Sequence, residues 1–571
     1  MGSRASNGSY GVRLRACVSA SAVALFSSGA TSGCGDSGET SPTGGAGGSS
    51  ESASGGHGGT SLEGAAGGGG DPSSNDTGGA GGNGGGPGVG GSGGALGGGG
   101  DGGDGGEGGA AVCVPTGGET CSTLEDDDCD GTECGLWGRV YGDTAKTQSV
   151  RRTAIAPNGD LYVLGTLGDV PGGIEFAGAM VTADAAHDGF LAKISSSGQD
   201  LWIRKIPKQF TPLDLVATQN EGVVLAGHFA GTIDLGGGDL TPSSTNDSVI
   251  AAYEADGGYA WAKMLEASGP ANAGVTAMAR GPAGDIVMFG AGGPGVQYDG
   301  EPVTTDSPTS DAPFLFAVDD ADGILLWSHA LPNTGNAIVR TGPIDIDAQG
   351  NIVLAGDYSD PISLGGSTLP YGGNGYDSFV ARFGPTGEHL ESYRFCSNSC
   401  EVLDVATGPA GEIYLSGGIN QGELGGVDIP SINGFIARMG AQGSIAWYHI
   451  FFTIEIYPGW EPELAIDAAG DITFAATFGG YIDLGFDTLT AVGTRELVVG
   501  KLHPDGTPGW YRRFGAQNAM VWKSIPGHLL NVQPNGQATL AFNLRNAPVD
   551  FGSGPLVPFG QGDVAVVQLA P

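Results

Sequence analysis

Positive charge is scarce in this chain of 571 residues, which has 23 Lys and Arg against 62 Asp and Glu. The formal net charge is −39, and the segment from Gly35 to Cys134 contains no Lys or Arg. Such an excess of negative charge repels phosphate backbones and anionic headgroups, which excludes non-specific binding to nucleic acid or to a charged lipid surface. We therefore expect no nucleic-acid partner.

Long apolar runs are also missing. The most apolar stretch of the N-terminal region runs from Ala16 to Phe26 and follows Arg4, Arg13 and Arg15. It is too short to cross a bilayer but has the length and the basic flank of the hydrophobic region of a signal peptide. The sequence therefore predicts export, with residues 1–34 as the targeting segment and an extracytoplasmic location for the rest.

The end of this segment, Thr31-Ser32-Gly33-Cys34, resembles a bacterial lipobox, in which a Cys after small residues is lipidated and becomes the new N-terminus. The resemblance implies a lipid anchor at Cys34, a cell-surface or outer-membrane lipoprotein, and membrane contact through that anchor alone. Thr31 departs from the pattern, which usually has an aliphatic residue there. The alternative is ordinary signal cleavage near Ala30 and a secreted protein.

Residues 35–112 have too few apolar side chains to form a core. Half of the residues from Ser41 to Ala110 are glycine, and most of the others are Ser, Ala, Asp and Asn. Burial of such a segment cannot offset the conformational entropy lost on ordering. We predict a disordered tether with a reach of roughly 45 Å, which would hold an anchored domain clear of a surface.

Residues 113–135 form a short module rich in cysteine and aspartate. Four cysteines in an exported segment of this length predict two disulfides, of three possible connectivities, whereas zinc thiolates are typical of reducing compartments. The spacing of three aspartates matches the first positions of a calcium loop, but Trp137 stands where such a loop needs a bidentate Glu. The run Cys121–Gly131 resembles a short metal-binding motif of bacterial surface proteins. Either Ca²⁺ binds there or the module is an acidic disulfide-linked spacer; the residues are Cys113, Cys121, Cys129 and Cys134, with Asp126, Asp128 and Asp130.

Catalytic motifs are sparse as well. HExxH, a phosphate-binding loop and a paired CxxC are absent, and the eight His do not cluster. The many carboxylates single out no acid–base pair. We therefore expect a protein that is not an enzyme and needs no cofactor beyond the calcium considered above.

What the rest of the chain has is a repeat. Trp recurs with a spacing of about 60 residues, longer than most solenoid repeats and compatible with propeller blades. The positions are Trp137, Trp202, Trp261, Trp327, Trp447 and Trp510. The gap of 120 residues after Trp327 contains one further unit without Trp, in the run Gly387 to Arg394.

Each unit carries four strand-like segments. The first two alternate apolar residues around a glycine turn, which is typical of a β-hairpin, as in Thr153–Gly165. A short element such as Ile233-Asp234-Leu235-Gly236 follows, then an apolar strand such as Phe190–Ile194, a glycine turn and the Trp strand. Seven units of four strands predict an all-β, seven-bladed β-propeller over residues 136–571.

The body begins with a Trp strand, 136–141, and ends with a strand of the third type, 564–569. In the other units these two strands are joined by a turn. We therefore predict that the two ends of the chain pair and close the ring.

The units resemble a bacterial β-propeller repeat family, often abbreviated SBBP, found in surface lipoproteins of gliding, social Gram-negative bacteria. The resemblance rests on glycine-Asp hairpins such as Gly159-Asp160-Leu161-Tyr162, on the Asp-Leu-Gly-Gly element and on the Trp strand. It covers about 430 residues and implies the propeller fold and a surface location, but no chemistry.

Two polar positions recur in nearly every unit. An acidic residue or Asn precedes the third strand, and a base follows each Trp by two residues, as in Arg139 and Arg204. A ring of anion or sugar sites and plain inter-blade packing are the two interpretations. Repetition in every unit favours packing.

Two further features concern loops. Cys396 and Cys400 enclose a short loop and predict a disulfide that stiffens it. Two tryptophans lie outside the repeat, in the loops Phe451–Pro462 and Gly515–Gly527, with one polar or basic neighbour each. We predict that these loops are adjacent on one face and bind a partner, or else that their tryptophans fold back as plugs; the residues are Tyr457, Trp460, Trp522 and Lys523.

The sequence thus predicts a monomeric, extracytoplasmic scaffold that binds a glycan or a surface protein through loops on one face. The alternatives are a propeller-fold hydrolase or lyase acting on carbohydrate, and an inert structural protein of the cell surface or matrix.

Overall fold

The computed structural model describes residues 134–571 except 186–187, 244–246, 267–272, 304–311, 333–338, 374, 425, 454–460 and 524–528. The described chain consists of antiparallel strands and one short 3-10 helix, Ala441–Gly443. Within these ranges we find no helix with the length and hydrophobicity to cross a bilayer. The predicted signal segment, tether and most of the cysteine module lie outside the described residues.

The strands form the seven four-stranded blades that the repeat predicts, numbered here 1 to 7 in chain order. The innermost strands are Ser149–Ile155, Phe210–Ala217, Ala273–Arg280, Val339–Ile346, Cys400–Thr407, Glu463–Ile466 and Leu530–Val532. The second strands are Leu161–Thr166, Val223–Phe229, Asp285–Gly292, Ile352–Tyr358, Ile413–Leu424, Ile472–Phe478 and Ala538–Arg545.

The third strands are Gly189–Ile194, Asp247–Tyr253, Ala312–Asp319, Asp377–Phe383, Val427–Met439, Glu496–Leu502 and Asp563–Leu569. The outermost strands are Asp200–Ile206, Tyr259–Glu266, Leu325–Ala330, His389–Ser397, Ile445–Thr453, Pro508–Phe514 and, from the start of the body, Gly135–Tyr141. Third strands such as Glu496–Leu502 are buried along their whole length, which explains why apolar residues predominate in them.

Short hairpins extend from the connections between second and third strands. Their pairs are Gly173–Phe176 with Ala179–Thr182, Ile233–Asp234 with Asp239–Leu240, Gln297–Tyr298 with Glu301–Pro302, Tyr481–Asp483 with Thr488–Thr490, and Val549–Asp550 with Pro555–Leu556. Tyr298 pairs with Leu265 of the preceding blade, and Ile482 pairs with Thr453 in the same way. The recurring Ile-Asp-Leu-Gly element therefore links neighbouring blades.

The ring closes as predicted. Tyr141 pairs with Val564 and Gly135 with Leu569, so the first strand of the body is the outermost strand of blade 7. Both ends of the body thus share one sheet, and the third strand of blade 7 has no exposed edge.

The innermost strands also form a closed ring, held by one side-chain contact from each blade to the next. In blade 2, for example, Asp214 accepts a hydrogen bond from the Met278 N–H at 2.7 Å and lies 3.4 Å from the Arg152 guanidinium of blade 1. The other contacts are Thr276 Oγ1 to Thr341 Oγ1, Thr407 N to Asp345, Leu464 N to Asp404, Leu530 N to Glu463 and Asn531 Nδ2 to Thr153 Oγ1. These contacts satisfy polar groups at the centre of the ring.

The repeated tryptophans fill the seams between blades. The Trp202 indole of blade 1 donates to the Ala255 carbonyl of blade 2 at 2.9 Å and lies over Gly257, where a Cβ would come within 2.8 Å of the ring. Trp137 and Trp447 make the same contacts with the next blade. The glycine of each such turn is required because the indole occupies the space of a side chain.

The basic residue that follows Trp by two positions also contacts the next blade. His449 lies 2.7 Å from the Gly506 carbonyl of the next blade, His329 lies 2.7 Å from the Thr386 carbonyl, and Arg139 donates to the Gly198 carbonyl at 2.9 Å. These contacts are those of inter-blade packing.

The recurring acidic residue at the start of the third strand accepts hydrogen bonds from backbone N–H groups of the loop that precedes it. Asp247 is fully buried and accepts the Ser243 N–H at 2.6 Å, and Glu496 accepts the N–H groups of Val492 and Gly493. Each buried carboxylate thus satisfies backbone donors that the loop would otherwise leave without partners.

Candidate functional site

The upper face carries the connections from second to third strands and from each outermost strand to the next blade. Lys523, in the connection from blade 6 to blade 7, donates to the carbonyl of Glu461 in the connection from blade 5 to blade 6. These two predicted loops therefore lie side by side. The ammonium also pairs with Glu463 at 3.3 Å, and both side chains are 10 % exposed, so Lys523 has an internal ionic partner.

Trp522 does not lie in a loop, contrary to the expectation for Gly515–Gly527. Met520–Trp522 forms a strand that pairs with the end of the second strand of blade 7, and Trp522 is opposite Asn543. The indole is half-buried, with the Arg545 guanidinium 5.4 Å from the ring centroid. The loop at Gly562 passes so close that a Cβ there would lie 3.2 Å from the ring. Tyr457 and Trp460 lie outside the described residues, so the predicted role of this group in binding stays a prediction.

Large apolar side chains are exposed on the upper connections of three consecutive blades. Those at least 49 % exposed are Val492 of blade 6 (56 %), Val557 and Phe559 of blade 7 (56 % and 55 %), and Val170 and Met180 of blade 1 (49 % and 55 %). Phe559 belongs to the same loop as Gly562, which reaches Trp522. Because isolated exposed apolar residues are ordinary, it is their grouping on adjacent blades of one face that indicates an interaction surface.

The lower face, which carries the turns within each blade, has a cleft of about 460 Å³ between blades 4 and 5. Here the repeated Trp is missing, and Glu391 pairs with Arg382 in the register at which Trp202 pairs with Lys193. Tyr393 covers the turn glycine Gly443 instead. The cleft is lined by backbone and apolar groups and by four charged side chains, those of Arg382, Glu391, Glu412 and Arg438.

A buried carboxyl lies near the upper end of blade 4. Asp357 is 5 % exposed, and burial is the main cause that raises its pKa to about 7. The nearby Glu401 carboxylate raises the pKa further, whereas the Ser378 hydroxyl and the Arg340 guanidinium lower it. The Ser378 Oγ lies 2.5 Å from Asp357 Oδ1 and 2.8 Å from the Cys400 carbonyl oxygen.

The remaining predicted sites are placed as follows. Cys396 and Cys400 form the disulfide predicted for their loop, with Cα atoms 6.0 Å apart. Cys134 is disulfide-bonded to a residue outside the described ranges. The other cysteines of the module, the lipidation candidate and the three aspartates lie outside those ranges: Cys113, Cys121, Cys129, Cys34, Asp126, Asp128 and Asp130. In the part of the chain that is described, no group of three His, Cys, Asp or Glu side chains could hold a metal ion.

Comparisons with known proteins bear on the fold alone. No family model matches the chain, and no curated protein matches it. Among solved structures it is similar to an ulvan lyase of a polysaccharide lyase family bound to its saccharide (11 % identity, 74 % of this chain and 97 % of that one, TM-score 0.37). It is also similar to BamB from Moraxella catarrhalis (13 % identity, 69 % and 94 %, TM-score 0.30) and to virginiamycin B lyase from Staphylococcus aureus (11 % identity, 76 % and 99 %, TM-score 0.34). Enzymes and non-enzymes occur together among these structures.

Proposed function

We propose that this protein is a non-enzymatic, extracytoplasmic propeller scaffold that binds a glycan or a protein partner through the upper face of blades 6, 7 and 1. The observation that carries the proposal is the group of exposed apolar residues on that face, Val492, Val557, Phe559 and Val170. Exposed apolar and aromatic groups on loops of a rigid scaffold are suited to stacking on sugar rings or to packing on apolar protein patches.

The location of this scaffold is proposed from the N-terminal sequence. Residues 1–34 have the pattern of an export signal, with Cys34 as the lipid attachment site, and residues 35–112 have the composition of a flexible spacer. A spacer of that kind would present the propeller away from the membrane. The resemblance to SBBP-type surface lipoproteins is consistent with this location.

The proposal includes Ca²⁺ binding by the cysteine module, residues 113–135. Asp126, Asp128 and Asp130 offer alternate carboxylates, the ligand type that Ca²⁺ prefers. Calcium binding is tested by titration calorimetry of the full chain and of a variant with alanine at these three positions. A heat of binding that persists in the alanine variant would assign the ion to another place.

The upper-face proposal predicts loss of binding when its apolar groups are made polar. In the full chain, the double substitution Val557→Ser and Phe559→Ser should weaken binding to whole bacterial cells or to a glycan array at least tenfold. The melting temperature should stay within a few degrees, because more than half of each side chain is exposed. Binding is measured by flow cytometry and array fluorescence, and melting by circular dichroism.

The matched control is Ile324→Ser, which changes an equally exposed apolar residue (58 %) in a turn of the lower face. This variant should bind as the parent does. Equal binding by the Val557/Phe559 variant and the parent would contradict the proposal. Trp460→Ala with Trp522→Ala separates the two interpretations of the tryptophans: lost binding with unchanged melting supports contact with the partner, and a large fall in melting temperature with binding intact supports plugs.

A further inference from the structure

The cleft between blades 4 and 5 lies where one residue, Glu391, departs from the repeat. At the same register in the six other blades the side chain is a tryptophan. The indoles of Trp137, Trp202, Trp261 and Trp447 donate to carbonyls in the turn of the following blade. In blade 4 this position is Glu391, and Tyr393 covers the turn glycine Gly443. Beside this contact lies the cavity of about 460 Å³, within the ~300–1,000 Å³ of typical ligand pockets. This site lies on the face opposite the one proposed above and does not depend on that proposal.

The charged groups of the cleft form two loose pairs. Arg382 Nε is 3.8 Å from Glu391 Oε1, and Arg438 Nη2 is 3.7 Å from Glu412 Oε1. Both distances are too long for a hydrogen bond. The Nε atoms of Arg382 and Arg438 are buried, so a ligand in the cleft would reach these guanidinium groups through their Nη atoms.

The other polar atoms hold these four side chains in place. Arg382 Nη2 donates to the Gly411 carbonyl at 2.6 Å, and Arg438 Nη1 donates to the Pro504 carbonyl at 3.2 Å. Glu391 Oε2 accepts the Tyr393 hydroxyl at 3.0 Å. Glu412 Oε2 likewise accepts the Ala410 N–H at 3.0 Å. In each pair, therefore, one carboxylate oxygen remains as an acceptor beside a guanidinium group with hydrogen-bonding capacity left over.

A hydroxyl group suits such a gap, because it accepts from the guanidinium and donates to the carboxylate at once. Two gaps of this kind suit a molecule with several hydroxyls. The charges of the lining balance, so an anion would meet two carboxylates and a cation two guanidinium groups without a net gain. The ligand that fits is polar, neutral and rich in hydroxyls.

We propose that this cleft binds a short neutral saccharide, whose hydroxyls bridge Arg382 to Glu391 and Arg438 to Glu412. The exposed methyl groups in the lining, those of Ala410, Ala441 and Ala446, supply a surface for the C–H face of a sugar ring. The absence of Trp from one blade is on this view a functional substitution that opens a seam for a ligand.

The test restores the tryptophan. The full chain is applied to an array of neutral, anionic and cationic saccharides, and the affinities of those that bind are measured by titration calorimetry. We expect a neutral saccharide to bind the parent and to bind Glu391→Trp at least tenfold more weakly, because the indole extends into the cleft and one carboxylate acceptor is lost. Thermal melts accompany the titration to show that the variant folds, since the indole must share the seam with Tyr393. Glu412→Gln removes one acceptor without filling the cleft and should also weaken binding severalfold.

Glu388→Gln is the matched control, since it makes the same change of charge on an exposed residue of the same face outside the cleft. It should bind as the parent does. The proposal is overturned if no neutral saccharide binds the parent, or if the only ligands are charged. It is equally overturned if Glu391→Trp and Glu412→Gln bind normally while the Val557/Phe559 variant does not, because the saccharide would then belong to the upper face.

Discussion

Glycine at the turn under each tryptophan is a requirement of space as well as of backbone conformation. Gly257 has φ +84° and lies under the Trp202 ring, whereas Gly300, with φ +86°, has open space where a Cβ would be. The two positions share the same backbone strain and differ in their surroundings. They therefore allow the two effects to be measured separately.

We expect Gly300→Ala to lower the free energy of unfolding by about 1–2 kcal/mol, the cost of a left-handed conformation for a residue with a Cβ. Gly257→Ala should cost about 1–3 kcal/mol more, because the methyl group overlaps the indole and the seam must open. Urea denaturation of both variants measures the difference. Equal losses would show that the seam adjusts to the methyl group without strain.

Asp357 makes the stability of blade 4 depend on pH. Its pKa is about 7 in the folded protein against an ordinary value of 3.8, so between these values the folded state holds a proton that the unfolded state releases. The contribution of this carboxyl to stability is therefore fully present below about pH 4 and is lost as pH rises towards 7. A neutral carboxyl also suits the geometry, because it can donate to Ser378 while Ser378 donates to the Cys400 carbonyl.

Asp357→Asn should remove this dependence, since the amide stays neutral and can donate in place of the protonated carboxyl. Relative to the parent, the variant should gain stability as pH rises from 4 to 7, by up to about 4 kcal/mol, and the difference should be flat above that range. Urea melts at pH 4, 5.5, 7 and 8.5 measure it. A difference that does not change with pH would show that Asp357 ionises normally.

At the scale of elements, the structure corrects the prediction that Gly515–Gly527, before blade 7, is entirely a loop. The segment Met520–Trp522 is a strand because the second strand of the blade, Ala538–Arg545, is longer than its partner Leu530–Val532. The end of that second strand would otherwise have unpaired backbone groups at a buried edge. Three residues are too few for an alternating pattern to be recognised, so the sequence could not predict this pairing.

The closing strand Gly135–Tyr141 is the element on which the ring depends. A chain that begins at Asp143 should expose the third strand of blade 7, Asp563–Leu569, as an apolar edge, and we expect it to aggregate or to melt at least 10 °C lower. The matched control begins at Gly135 and keeps the strand while it loses everything before it. Light scattering and thermal melts compare the two, and equal behaviour would mean that the closure contributes nothing to stability.

At the scale of the whole molecule, neighbouring blades cooperate through contacts that no single repeat contains. The ring of innermost side chains includes an Asp in one blade, a Thr in another and a Glu in a third, as Asp214, Thr276 and Glu463 show. Their residue types differ, and so the sequence gives no sign that they serve one role. The upper-face surface likewise exists only because blades 6, 7 and 1 are neighbours in the closed ring.

The sequence by itself determined the fold: seven hairpin units, six of them with a Trp strand, and the closing pair of strands follow from local periodicity and turn residues, which each segment carries within itself. Only the tertiary structure decided that Lys523 has an internal partner, that Trp522 lies on a strand and that Glu391 opens a cleft beside Arg382. Lys523 and Glu463 lie 60 residues apart in sequence, and the cleft forms between blades 4 and 5. These contacts are set by the arrangement of the blades in the ring and not by any local pattern.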